Sequence, residues 1–256
     1  MKRKAVLIES SNVAGQKDLA GARVDIRNWN NYLKSELGGA WLDSEIVILN
    51  KPWSKDVEAA LTVDYDCYCF IAFSGHGNDG SICLNDSYLS FPTSKLKPKT
   101  EKSTLIIDSC RGVEEAKEFT FNRKIAMINE ASGVVTALNA LEGRSTIFAS
   151  ETRIYNRSIQ FSNAMTAWEA ALKKSSAGLV EMLSCAKGEE AGDDPDSGGY
   201  YTSLLLQSAE SWNNRTTINM IHTTKDAHDY AVGLIPPQQK PEYNPSWLTF
   251  PFAVKV

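Results

Sequence analysis

The ten residues STLIIDSCRG, Ser103 to Gly112, hold the run on which the fold turns. Leu105-Ile106-Ile107 is an apolar, β-branched stretch of the kind that forms a fully buried strand, and it stops abruptly at an acid, a hydroxyl, a thiol and a guanidinium. A structural cysteine prefers apolar neighbours, where it behaves as a small inert hydrophobe. A reactive cysteine needs partial exposure and groups that favour its thiolate. Which kind Cys110 is depends on what the fold sets beside it. One strand earlier the chain repeats the device: FIAFSGHGNDG, Phe70 to Gly80, is another apolar run ending on Ser74-Gly75-His76-Gly77.

Working outward, strand-like and helix-like segments alternate. AVLIE, Ala5 to Glu9, reads as a buried first strand, EIVILN as a second, CYCFIAF as a third and STLIID as a fourth. Between the first two, GARVDIRNWNNYLKSELGG puts Ala22, Ile26, Trp29, Leu33 and Leu37 on one helical face, closed by Gly38-Gly39. Ser54 is expected to cap the short helix KDVEAALTV, with Asp56 in its first turn. GSICLNDSYLS reads as a small hairpin turning at Asn85-Asp86. In the second half STIFAS is read as a fifth strand, Phe161, Met165, Trp168 and Leu172 as the core face of a helix, YYTSLLLQSAESW as the final helix and TTINMIH as the final strand. The acidic KGEEAGDDPDSGG is read as a solvated, mobile loop, and the tail, which carries five of the nine prolines, as extended. Such alternation implies an α/β fold with a mostly parallel sheet of about six strands, helices on both faces, and functional groups at the carboxyl ends of the strands.

Composition narrows the class. The chain has 256 residues, 43% hydrophobic and 23% charged, and a net charge of -4, with no basic cluster to mark a nucleic-acid partner. The five cysteines are an odd number without metal-site spacing; Cys67 and Cys69 are expected on opposite faces of a strand, so a disulfide framework is not expected and a reducing, cytoplasmic setting is. The run Ala5 to Ile8 is too short for a signal peptide, and no segment is long enough to span a membrane. His222 and His228 have no motif around them and are expected at the surface or an edge.

If the third and fourth strands are neighbours, about 4.8 Å apart, an imidazole and a thiol share one rim. His76 can then take the thiol proton, the flanking glycines let a substrate backbone approach, and the amides of Gly77 and Cys110 can form an oxyanion hole. The SGHG and DSCRG motifs, 34 residues apart from His76 to Cys110, resemble those of the caspase and metacaspase cysteine peptidases. LAGARVD (Leu19 to Asp25), GGYYTSLLL and FPFAV match further family segments, so the likeness covers nearly the whole chain. It implies one caspase-like three-layer domain over 1–256: residues 1–112 carrying a Cys110–His76 dyad, 113–145 a candidate activation linker, and 146–256 the small-subunit-like part.

The resemblance also assigns a pocket. The aspartate two residues before the nucleophile and that of the L-x-G-x-x-x-D run line the metacaspase pocket for the residue before the scissile bond, which points here to Asp108 and Asp25, with Ser74 and Ala22 beside them. Two carboxylates in a half-buried pocket favour a cation, so cleavage after Arg or Lys is expected, on a protein or peptide substrate. Arg123, Lys124 and Arg144 are the basic sites at which the enzyme could cut itself. Many metacaspases need calcium, but Glu114, Glu115, Asp79 and Asp86 are scattered, and no metal or cofactor is expected. The family further suggests an upstream activator, a role in bacterial stress or antiphage defence, and a monomer rather than a dimer. The rival reading is a caspase-like scaffold with a silent dyad.

Overall fold

The computed structural model describes residues 1–13, 16–86, 91–111, 147–216 and 218–256. Six strands form the central sheet: β1 (Arg3–Ser10), β2 (Ile46–Asn50), β3 (Tyr68–Gly75), β7 (Lys102–Asp108), β8 (Gly178–Leu183) and β12 (Glu242–Asn244). Their order is β12-β8-β7-β3-β1-β2, and all pair in parallel except the antiparallel edge strand β12. Strands from both sides of 112–146 thus build one sheet. Every residue of β3 and β7 is buried, as expected of strands covered on both faces.

Alternation along these strands sorts the core into two layers. On one face Leu7, Tyr68, Phe70, Ala72, Ile106 and Met182 pack against α1 (Ala20–Lys34), α3 (Ile147–Lys174), α4 (Tyr200–Asn213) and α5 (Thr224–Leu234). On the other, Val6, Ile8, Ile71, Phe73, Leu105 and Ile107 meet α2 (Ser54–Ala60) and a small antiparallel sheet of β4 (Gly77–Asn78), β5 (Ser81–Ile82) and β6 (Phe91–Pro92). This is the three-layer sandwich. The predicted helix face holds: Trp29, Trp168 and Leu172 are buried, with Phe161 and Met165 half-buried beside them.

Several expectations fail, each for a physical reason. Residues Ile147–Ser150 begin helix α3 and are no strand. The place beside β7 belongs to Gly178–Leu183, whose half-buried pattern hid it next to a long helical run. Ser54 is the first helical residue rather than the cap; its amide and hydroxyl both donate to Asp86 Oδ1, at 2.8 and 2.9 Å, while Asp56 accepts from Trp53 N. α1 ends at Lys34, and Leu37 packs from the turn beyond it. The helix α5 follows the segment taken as the final strand, and β11 (Ile221–Thr223) pairs with β13 (Pro251–Val254) outside the main sheet. Cys67 and Cys69 cannot part across a strand, since residues two apart share a face; all five cysteines are free. His222 and His228 are buried: His222 stacks on Trp212, and His228 Nδ1 lies 2.8 Å from the Tyr201 hydroxyl. Arg123, Lys124, Arg144, Glu114 and Glu115 lie outside the described residues. Among the described helices none is long and apolar enough to cross a membrane.

Candidate active site

The sheet order places a crevice where the connections diverge. From β1 the chain goes to β2 on one side, while β3, β7 and β8 fill the other, and ligands of such sheets sit outside the carboxyl ends at that point. β3 and β7 are in register, Ser74 opposite Asp108, so His76 and Cys110 each follow two residues beyond the last ladder pair. The tips touch: a methyl group added at Gly77 would come within 2.7 Å of Ser109 Oγ, and one at Gly75 within 2.4 Å of the Ser10 carbonyl. Only glycine lets β3 run on that close to β1. Gly77, Ser109 and hence the Gly77 and Cys110 peptides border one gap.

The imidazole is oriented from behind. His76 Nε2 lies 2.6 Å from the Lys17 carbonyl oxygen, which can only accept, so Nε2 carries the hydrogen and Nδ1 keeps a free lone pair. This backbone carbonyl orients the ring. Burial pulls the His76 pKa down, against the Lys17 carbonyl and the Asp18 charge. Burial pushes the Cys110 thiol up, with the charges of Glu190, Asp108 and Asp193 adding to it. Both shifts favour the uncharged forms, a thiol and a neutral imidazole.

The thiol's cover comes from a segment read as solvent. Cys110 Sγ lies 3.9 Å from the Ala191 carbonyl, Arg111 N donates to Glu189 O at 2.9 Å, and Gly188 N donates back to Arg111 O at 3.0 Å. The strap 186–192 is anchored by the Glu189 carboxylate, which accepts from Ala186 N and Lys240 N, and by Gly192 N, which donates to Gln239. Arg111 is fixed by Asp79, by Glu242 and by the Cys185 carbonyl. Asp79 and Asp86 are thus engaged separately, and among the described residues no group of acids, histidines and cysteines could hold a metal.

Beneath the strap the carboxylates converge. Asp25 Oδ2 accepts from Ser74 Oγ at 2.6 Å and Oδ1 from Gly199 N at 2.9 Å; Asp108 Oδ2 accepts from Thr202 N at 3.0 Å and from Thr202 Oγ1 at 2.7 Å. Both acids therefore dock on the N-terminus of α4, where the amides and the helix dipole favour negative charge. They meet at Gly199, where an added methyl would lie 2.4 Å from Asp108 Oδ2 and 3.0 Å from Asp25 Oδ2. Burial, and then the Asp108 charge, hold Asp25 well above the usual carboxylate range; burial also raises Asp108. Ala22 is buried on the same turn of α1 as Gly21.

A third acid escaped the sequence reading. Asp193 on β9 (Asp193–Asp194) pairs with Gly199 on β10 (Gly198–Gly199), and directly opposed residues of an antiparallel pair project to the same face. Its Oδ1 would lie 1.9 Å from a methyl added at Gly21, and burial and the Asp108 charge push its pKa up to about 6. The one available signal was the Gly-Gly before YYTSLLL, which marks a close backbone approach.

Ser208, His222 and Asp226 line a separate cavity of about 430 Å³ but do not form a second catalytic set. Ser208 is shut from solvent and donates to Leu205 O, and the Nδ1 of His222 stands 4.0 Å from Asp226, too far for a hydrogen bond.

Comparison with known proteins agrees with this architecture. The fold is similar to protein GSU0716 from Geobacter sulfurreducens, with a TM-score of 0.57 at 16% identity over 100% of both chains. It is likewise similar to caspase-1 from Spodoptera frugiperda, with a TM-score of 0.57 at 13% identity, covering 99% of this chain and 92% of that one. No curated protein matches. The family model described as the caspase domain matches residues 2–249. The chain belongs to the caspase-domain peptidase family.

Proposed function

We propose that this protein is a cysteine endopeptidase that cleaves after Arg or Lys through a Cys110–His76 dyad. The observation that carries the reading is the meeting at Gly199 of Asp25, from α1, and Asp108, at the end of β7, next to the strand tips that bear the imidazole and the thiol. Both acids are buried, and the Asp108 charge adds to burial in raising the Asp25 pKa, so a cation between them is favoured. A guanidinium or ammonium at P1 would restore both charges, and each carboxylate keeps acceptor capacity beyond its present bonds. His76 Nδ1 then takes the thiol proton, Cys110 attacks the carbonyl, the Gly77 and Cys110 amides hold the oxyanion, and water releases the acyl-enzyme. An acidic P1 would be repelled.

The strap must move for this to happen. Cleavage in 113–145, with Arg123, Lys124 and Arg144 as basic sites, or an upstream activator, is the proposed trigger. The three-residue β12 is followed by Pro245, which leaves little edge for strand pairing and supports a monomer. Calcium is not part of the proposed mechanism.

The test is turnover of fluorogenic Arg, Lys and Asp peptides, with mass spectrometry of the purified chain for self-cleavage. Turnover of Arg and Lys peptides that vanishes in Cys110→Ala supports the reading. No turnover of any peptide, before or after nicking within 113–145, overturns it in favour of the silent scaffold.

A further inference from the structure

Cys185 has no part in the proposed reaction, yet it is buried beside the nucleophile. It follows β8, and β8 runs parallel to β7 with Leu183 opposite Ile107, so Cys185 and Ser109 each lie two residues beyond the last ladder pair. The two chains stay fastened past the ladder. Ser184 N donates to Ile107 O at 2.9 Å, Ser109 N donates to Ser184 Oγ at 3.2 Å, and Ser184 Oγ donates to Ser109 O at 3.1 Å. The Cys185 thiol donates to Ser109 O, the carbonyl of the peptide whose nitrogen is that of Cys110, at 3.4 Å. The Ser109 carbonyl oxygen lies about 2.8 Å from the Cys110 Cα by peptide geometry, so the Cys185 sulfur stands within about 6 Å of that Cα, inside the reach of a disulfide. The Arg111 guanidinium, which donates to the Cys185 carbonyl, ties the same two loops together.

We propose that Cys110 and Cys185 form a peroxide-sensitive thiol pair that closes to a disulfide and reversibly removes the nucleophile. This rests on the reading of Cys110 as a reactive thiol. Cys110 is the half-exposed member and meets the oxidant first; Cys185, fully buried, resolves it. His76 takes the Cys110 proton, and the thiolate attacks one peroxide oxygen. The O–O bond breaks, sulfur is oxidised to the sulfenic acid, and the departing hydroxide takes a proton to become water. Cys185 then attacks the sulfenyl sulfur, the S–O bond breaks, and the second hydroxide leaves as water with the Cys185 proton. Two thiols and one hydrogen peroxide give one disulfide and two waters. Burial and the Cys110 charge hold the Cys185 thiol up at about 12. The bridge would also shield Cys110 from over-oxidation.

The experiment uses the full reduced chain with hydrogen peroxide, read by intact mass and a non-reducing peptide map. The expected product is lighter by about 2 Da, carries a Cys110–Cys185 cross-linked peptide, and regains an alkylatable Cys110 with dithiothreitol. In Cys185→Ser, which keeps a donor toward Ser109 O, Cys110 should instead gain about 32 or 48 Da, irrecoverably. Wild-type protein that gains those masses without a cross-link, or that bridges Cys110 to Cys83, overturns the proposal. If Cys185→Ser does not fold, the wild-type map alone decides. The mass readout needs no turnover: a bridge without peptidase activity sinks the functional reading only, and activity without a bridge sinks this one only.

Discussion

The two carboxylates at the floor of the cleft and the two reactive groups at its lip differ in how they are held. Asp25 and Asp108 each accept two short hydrogen bonds, from Ser74, Gly199 and Thr202, and are almost fully shut from solvent. Among the described residues the Cys110 sulfur has a long contact, at 3.9 Å, and the His76 ring leans on a loop carbonyl. On the proposed reading the floor is pre-organised for a cation, whereas the lip is loosely held, as a nucleophile and base that change partners would be. On that reading recognition rests on strand and helix positions, and reactivity on the loops that follow them.

The largest expected effect breaks the lip. Cys110→Ala should remove Arg-peptide turnover by at least about a thousandfold, and His76→Ala by a comparable factor, with the fold intact by circular dichroism. Equal kcat/KM in either variant would put the chemistry elsewhere. Next comes the floor: Asp108→Asn should lower kcat/KM for Arg peptides by about 10² to 10³, while iodoacetamide still labels Cys110. Asparagine keeps an acceptor toward Thr202, so loss of folding is not the expected route. Unchanged Arg kinetics would refute the pocket.

The strap joins the two regions, and two smaller effects sharpen its role. Glu189→Ala removes the acceptor for Ala186 N and Lys240 N, so Cys110 should be alkylated several-fold faster. Asp193 titrates near 6 and belongs to both regions. As pH falls through 6 its carboxyl protonates, the pocket loses charge, and KM for Arg peptides should rise; Asp193→Asn should start with the higher KM and lose that limb. Linkage gives the sign for stability. A folded pKa above the unfolded value makes the ionised Asp193 destabilising at neutral pH, so Asp193→Asn should raise Tm more at pH 7 than at pH 5. A constant Tm difference across that window would mean Asp193 is not buried against Asp108.

How much of this was legible depends on where the information sits. DSCRG and SGHG announce the lip because both follow unbroken apolar strands, and Asp25 and Asp108 could be named from their motifs. Nothing local reveals that 186–192 folds back over Cys110. Its anchors, Gln239 and Lys240, are more than forty residues further on, and a polar, Gly-rich segment looks the same whether it is solvated or pinned. β8 was lost for a related reason: Gly178–Leu183 is half-buried, and only its pairing with β7 makes it a strand.

One of the two buried histidines outside the cleft, His228, gives the smallest effect and a control. His228 faces the Tyr201 hydroxyl on α4, Asp229 and Lys225 on its own helix, and the Tyr243 ring, and burial lowers its pKa to about 4. A depressed base contributes stability above its unfolded pKa and loses it as pH falls from about 6.5 toward 4, the opposite sign to Asp193. His228→Gln should therefore flatten the fall in Tm between pH 6.5 and 4.5 while leaving the pH dependence of KM untouched. A KM profile that moved with His228→Gln would mean that α4 transmits its packing to the acids at its N-terminus, and that floor and core are not independent.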